Sequence, residues 1–205
     1  MISPTDVLQA EARIRPFIVQ TPLDPSFRLS DLAGCDIWLK LEQTQYTGSF
    51  KLRGAANRIL DMTPASNGNH GIAVCYAARQ VGITPQVFMR HGVSEAKLGM
   101  IRLLGGEPVF FGEDPLEAEL KARQTAAETG KIFISPYNDP FVVAGQGTLG
   151  VEMHRQLDDI DAVVITVGGC GLISGVATYL KAISPRTRIV VCWPENSPVM
   201  FEPMK

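Results

Sequence analysis

The chain has 205 residues, of which 45% are apolar and 20% charged, and its formal net charge is −2. That near-neutral balance, with no basic stripe, argues against nucleic acid as the main partner. No apolar run is long enough to span a bilayer, and the N-terminus lacks the basic, apolar and cleavable regions of a secretory signal.

Four cysteines (Cys35, Cys75, Cys170 and Cys192) are scattered without a C-x-x-C pair. This spacing argues against a zinc site or a disulfide framework, and reduced cytosolic thiols fit it. The expectation is a cytoplasmic α/β protein.

In chain order, Ser3, Pro4 and Asp6 predict a helix start, with Ser3 as cap and Pro4 in the first turn, and an end near Arg15-Pro16. Thr21-Pro22-Leu23 reads as extended, and Asp36 to Glu42 alternates as a strand does. The segment Thr47-Gly48-Ser49-Phe50-Lys51-Leu52-Arg53-Gly54 follows as a loop, then a helix from about Gly54 to Leu60. Asp61-Met62-Thr63-Pro64 is a poor strand at a place where an α/β unit requires one. The chain is therefore expected to omit residues there. The turn at Gly68-Asn69-His70 leads into a helix from Gly71 to Val81.

Beyond it the alternation is regular. Strands are expected at 86–90, 108–111, 131–134, 162–167 and 188–193. Ser94 caps one helix, Asp114-Pro115 opens another that ends at Gly130, a third follows Gly147, and the last runs from Leu172 to Ile183. Helices alternating with continuous apolar strands imply parallel, helix-covered sheets. No repeat or low-complexity segment interrupts the pattern. After the strand at 188–193, residues 194–205 close no element, so the C-terminal part of the fold is expected to be missing.

Three stretches can carry chemistry. Lys51 sits between an aromatic and an apolar residue, and burial there would lower its pKa and free an amine for Schiff-base formation. Thr166 to Gly175 follows an apolar strand and opens a helix, and its glycine-rich backbone can converge N–H groups on an anion such as phosphate. The alternative is a tight turn in which glycine merely relieves crowding. Ala65 to Gly71 also precedes a helix, and offers a hydroxyl, two amides and backbone N–H groups to a carboxylate or phenolic oxygen. Its plainer reading is an ordinary asparagine-glycine turn, with His70 a packed histidine. Gly145-Gln146-Gly147-Thr148-Leu149-Gly150 matches G-x-G-x-x-G, but the acidic residue a dinucleotide needs at the end of the next strand is absent. No histidine or carboxylate set has metal-ligand spacing.

The three stretches in this order resemble the pyridoxal-phosphate enzymes of the tryptophan-synthase-β fold type, and within them the threonine/serine dehydratases and serine racemases. The resemblance covers nearly the whole chain, including Thr21-Pro22-Leu23, Leu39-Lys40-Leu41-Glu42 and Gly145 to Thr148. It implies an α/β fold of two helix-covered, mostly parallel sheets. Residues 1–54 and 139–205 would form a large cofactor-binding domain and 55–138 a small one. Lys51 would anchor pyridoxal 5'-phosphate as a Schiff base and take the substrate α-proton, with Phe50 flanking the cofactor ring. Asn69 would bond the phenolic oxygen, and Ser66, Asn67, Gly68 and the turn shaped by His70 would hold the substrate carboxylate. Gly168, Gly169, Cys170, Gly171 and Leu172 would cradle the phosphate.

The implied function is a lyase that removes water from a β-hydroxy amino acid such as threonine or serine, releasing a 2-oxo acid and ammonia. The small-molecule substrate would be the main partner, with no nucleic acid or membrane, in a homodimer. Racemases of the group carry a serine where Asn67 stands, and an amide cannot exchange a proton usefully, so racemisation is the alternative this residue opposes. A non-catalytic, ligand-binding remnant is the second alternative. The divalent-cation ligands of many relatives fall on Trp193 and Val199, so that metal site is expected to be absent. Where the family has glycine, this chain has Cys170.

Overall fold

The structure, a computed structural model, describes residues 1–61 and 66–196, and of residues 66–69 it describes the backbone. Its first helix is written locally. In α1 (Pro4–Ile14) the Ser3 hydroxyl accepts from the Asp6 N–H while the Asp6 carboxylate accepts from the Ser3 N–H, a capping box that satisfies two end donors. The helix buries Val7, Ala10 and Ile14. It gives way to a 3-10 turn at Arg15–Phe17, where Arg15-Pro16 forecast its end.

Strands β1 (Leu23–Pro25) and β2 (Trp38–Lys40) pair antiparallel, with Leu23 opposite Lys40. Between them lies α2 (Phe27–Ala33), absent from the sequence reading. The strand expected over 36–42 is shorter because Glu42–Thr44 turns off into a 3-10 helix. Next, α3 (Lys51–Asp61) begins at Lys51 rather than at Gly54, so the lysine belongs to the first helical turn.

A parallel sheet follows, in the order β3 (Ser66–Asn67), β4 (Gln86–Met89), β5 (Glu107–Phe110). Helices α4 (Gly68–Gln80), α5 (Glu95–Leu103) and α6 (Pro115–Thr129) pack on it. The strand that feeds the Gly-Asn-His turn therefore exists, but at 66–67. Residues 62–65, where an omission was expected, lie outside the described residues. The expected strand at 131–134 is reduced to a single bridge at Phe133. Ser135-Pro136 turns the chain at once, the Ser135 hydroxyl accepting from the Tyr137 and Asn138 N–H groups.

Helix α7 (Pro140–Gln156) starts before Gly147, because the Asp139 carboxylate accepts from the N–H groups of Phe141 and Val142 and Pro140 takes the first position. The G-x-G-x-x-G stretch thus lies inside a buried helix, which removes the nucleotide reading. A second parallel pair, β6 (Ala162–Thr166) with β7 (Arg188–Cys192), is connected by α8 (Gly171–Ile183). The two parallel sheets expected are present. No helix of the described residues is long and apolar enough to cross a membrane.

The glycines of α7 explain why it is central. A β-carbon on Gly145 would fall 2.5 Å from the Arg53 carbonyl oxygen and 2.7 Å from the Gly54 Cα, so bare backbone lets α3 close on α7. On its other side Gly147 meets Gly175 of α8, where a β-carbon would fall 2.8 Å from the Gly175 carbonyl oxygen. Apolar cores flank this seam. Leu52, Ile59, Val74 and Val142 fill the α3–α4–α7 side. Val151, Ile165, Val176 and Leu180 fill the α7–α8–β6 side.

A methyl group on Gly175 would collide with the Val143 carbonyl and the Gly147 backbone, neither of which can swing aside. Gly175→Ala should therefore destabilise the protein by about 1–3 kcal/mol, seen as a lower urea midpoint in circular dichroism. A surface control, Gly99→Ala, whose β-carbon meets nothing within 4 Å, should not lower that midpoint.

Candidate active site

The lysine is aimed by helix geometry. As the first residue of α3, Lys51 points back over the preceding turn, and its ammonium lies 5.0 Å from the centre of the Phe50 ring. Burial removes water from the amine and pushes its pKa below the ordinary lysine value.

The glycine loop comes from the opposite side. Strand β6 ends at Thr166, the Val167 N–H is tied to the Cys192 carbonyl, and the chain turns through Gly168-Gly169-Cys170 into α8. Cys170 is the N-cap, and its side chain makes no capping hydrogen bond. The first N–H groups of α8 are thus left for a guest at the positive end of the helix. Cys170 holds this turn at φ 65°, the only non-glycine residue with a left-handed backbone among the described residues.

Tyr137 fixes the loop from behind. A β-carbon on Gly169 would lie 2.5 Å from two atoms of the Tyr137 ring, and one on Gly171 would lie 2.9 Å from the Tyr137 Cα. The tyrosine hydroxyl donates to the Glu119 carboxylate at 2.8 Å, and Glu119 pairs with Arg123 at 2.7 Å. Sequence reading missed Tyr137, and no spacing signal marks it.

These parts enclose one cavity of about 280 Å³. Phe50, Lys51, Gly168, Gly169, Cys170, Gly171 and Leu172 all line it, together with Tyr137. Among the described residues that line it, Lys51 is the only one with an ionisable amine or carboxylate. His70 does not line the cavity. It is buried in the first turn of α4, and among the described residues neither ring nitrogen has a partner at hydrogen-bond geometry. Burial, and secondarily the Lys51 charge, push its pKa down to about 3 against a weaker opposing effect from the Ile134 backbone, so the imidazole is neutral. The side chains of Ser66, Asn67 and Asn69, and residue Val199, lie outside the described residues. Trp193 follows β7 directly.

An anion-accepting loop with glycine at each close approach, an uncapped helix start and a desolvated amine in one cavity fit a ligand with a phosphate at one end and a carbonyl at the other. The sequence model of the family described as pyridoxal-phosphate dependent enzyme matches residues 14–205. The chain belongs to that family.

Known proteins agree with the match. The L-threonine ammonia-lyase of Thermotoga maritima is 36% identical over 100% of this chain and 53% of its own length. The beta-hydroxyaspartate dehydratase of Paracoccus denitrificans is 37% identical over 98% of this chain and 66% of its own length. Among solved structures, maize serine racemase superposes with a TM-score of 0.90 at 30% identity, over 95% of this chain and 62% of that one. The chain thus spans between about half and two thirds of the relatives it matches. The cofactor of the family, pyridoxal phosphate, suits the donor set described above.

Two substitutions test the loop. Gly169→Ala should drive the loop off the Tyr137 ring and weaken cofactor retention by about ten-fold, and adding Tyr137→Ala should recover part of that loss. Equilibrium dialysis against pyridoxal phosphate reads both. Cys170→Gly removes the left-handed strain and should raise the melting midpoint, by up to about 1 kcal/mol of stability, without loss of retention.

Proposed function

We propose that the protein is a pyridoxal-phosphate-dependent ammonia-lyase of the threonine/serine dehydratase kind, acting on a β-hydroxy amino acid. The observation that carries this reading is the meeting of Lys51 and the glycine loop in one cavity. In support, the matched relatives include an L-threonine ammonia-lyase and a beta-hydroxyaspartate dehydratase.

When bound, pyridoxal phosphate supplies an electron sink for the pair left behind by the substrate's α-proton. Gly168 to Leu172 and the first turn of α8 hold its phosphate through backbone N–H groups. Phe50 flanks its ring, and Asn69 bonds the phenolic oxygen. Lys51 would hold it by the ε-amine, and its Nζ would take up the substrate's α-proton, which the lowered pKa suits. Ser66, Asn67 and Gly68, in the turn shaped by His70, hold the substrate carboxylate. Overall, water leaves across the α–β bond and is returned on hydrolysis, so that a 2-oxo acid and ammonia are released.

Racemisation is disfavoured because Asn67 cannot deliver a proton to the opposite face. A two-part division, 1–54 with 139–205 and then 55–138, fits the grouping of β6–β7 apart from β3–β5. A homodimer in a reducing cytoplasm accords with the family and with four free cysteines.

The test is an absorbance spectrum of the full-length protein before and after borohydride, with mapping of the modified lysine. A band near the visible edge trapped on Lys51, and release of 2-oxo acid from threonine or serine, are expected. Lys51→Ala should lose the band and at least about 10³-fold in turnover. Turnover retained without Lys51 would end the proposal, and D-amino acid produced from the L-form would replace it with the racemase.

A further inference from the structure

Arg53 is the largest side chain fully buried among the described residues, and no step of the proposed reaction uses it. Its guanidinium donates from Nε to Glu42 Oε2 at 2.9 Å and from Nη2 to Glu42 Oε1 at 2.8 Å. Toward the other side it donates from Nη1 and Nη2 to the two oxygens of Glu152, at 2.7 and 2.8 Å. Lys40 completes the cluster, its Nζ 2.6 Å from Glu152 Oε2 and also bonded to the Thr21 carbonyl and Gln156. Thr148 and Thr21 accept two longer contacts from the same guanidinium.

The four charges cancel, and each comes from a different part of the chain: β2, the turn after it, α3 and α7. Burial opposes ionisation of Arg53, but its bonds to the two glutamates outweigh that and hold its pKa above the usual value. Burial likewise opposes the Glu152 charge, which Arg53 and Lys40 nevertheless keep below the ordinary carboxylate range.

Stability alone does not require such a cluster, because well-packed apolar residues often do as well. What a doubly bidentate fork adds is direction. Residues two apart on a helix point about 200° away from each other around its axis. Clamping Arg53 on one side of α3 therefore turns Lys51 to the other, where the cavity lies. The next residue, Gly54, is held as well, its N–H donating to Gln146 Oε1 at 3.2 Å.

We propose that Arg53, clamped between Glu42 and Glu152, is the positioning residue that aims the Lys51 amine into the cavity. The purpose of that aim rests on the function proposed above, whereas the aim itself is measurable without cofactor. In the full-length protein, the rate of Lys51 acylation by acetic anhydride is followed against pH with peptide mapping. Trapping of pyridoxal phosphate on Lys51 by borohydride is measured separately. Arg53→Lys keeps the charge but loses the fork, and Glu42→Gln trims one partner in case the first variant does not fold. Arg58→Lys is the control, since the Arg58–Asp139 pair at 2.8 Å lies further along the same helix.

In the unmodified protein the acylation midpoint should lie below 10.5, the ordinary lysine value. Arg53→Lys or Glu42→Gln should move it upward toward that value, and lower trapping by about ten-fold or more. Arg58→Lys should change neither. Folded Arg53→Lys and Glu42→Gln proteins with the unmodified profile, or an equal shift in Arg58→Lys, would overturn the inference. A shifted profile in a protein that never traps pyridoxal phosphate would keep the positioning role and remove the proposed function.

Discussion

A guanidinium shut away from water is tolerable only where carboxylates meet it on all its donor edges, and Arg53 has that enclosure. The requirement reaches far along the chain. Glu42 must be delivered by the turn after β2, Glu152 by the C-terminal half of α7, and Lys40 by β2 itself. Once these meet, β2 is tied to α7 through Lys40 as well as to β1 through its ladder. Removing Arg53 leaves Glu42 without a cation, and removing Glu152 leaves Lys40 without a carboxylate, a loss of about 3–5 kcal/mol in either case.

The cavity draws its properties from the same economy of parts. Among the described residues it holds one lysine and no acidic side chain, and its glycine-rich end is built from backbone N–H groups, which do not titrate. Tyr137 gives the loop a rigid back wall, and its hydroxyl ties that wall to α6 through Glu119. Helix α6 and the glycine loop are thereby joined by one phenol.

Features governed by a few neighbouring residues were legible in the sequence. The box at Ser3 and Asp6, the Asp114-Pro115 start and the left-handed stop at Gly130 all depend on side chains meeting their own backbone. The lysine stretch and the glycine loop, which line one cavity, were legible as well, because a glycine-rich turn from strand to helix is also local. Asp139-Pro140 carried the same kind of signal as Asp114-Pro115, and weighting it properly would have started α7 in the right place. What stayed hidden was decided at long range. Gly145 to Gly150 looks like a nucleotide loop until α3 and α8 are seen against it. Lys131 to Ile134 has strand composition, yet the turn at Ser135-Pro136 leaves it room for a single bridge only. Tyr137, Glu42 and Glu152 acquire their meaning from partners far away in the chain.

Helix α7 also acts as a spacer. Lys51 is carried by α3 and the glycine loop opens α8, and each helix meets the backbone of α7 directly, α3 at Gly145 and α8 at Gly147. At those two points the distance between the lysine and the loop is set largely by peptide thickness. A ligand of fixed length held at both ends meets a gauge of fixed length. Mutational drift in the cores to either side can alter how firmly the gauge is held, but only a change in the seam itself can alter what it measures.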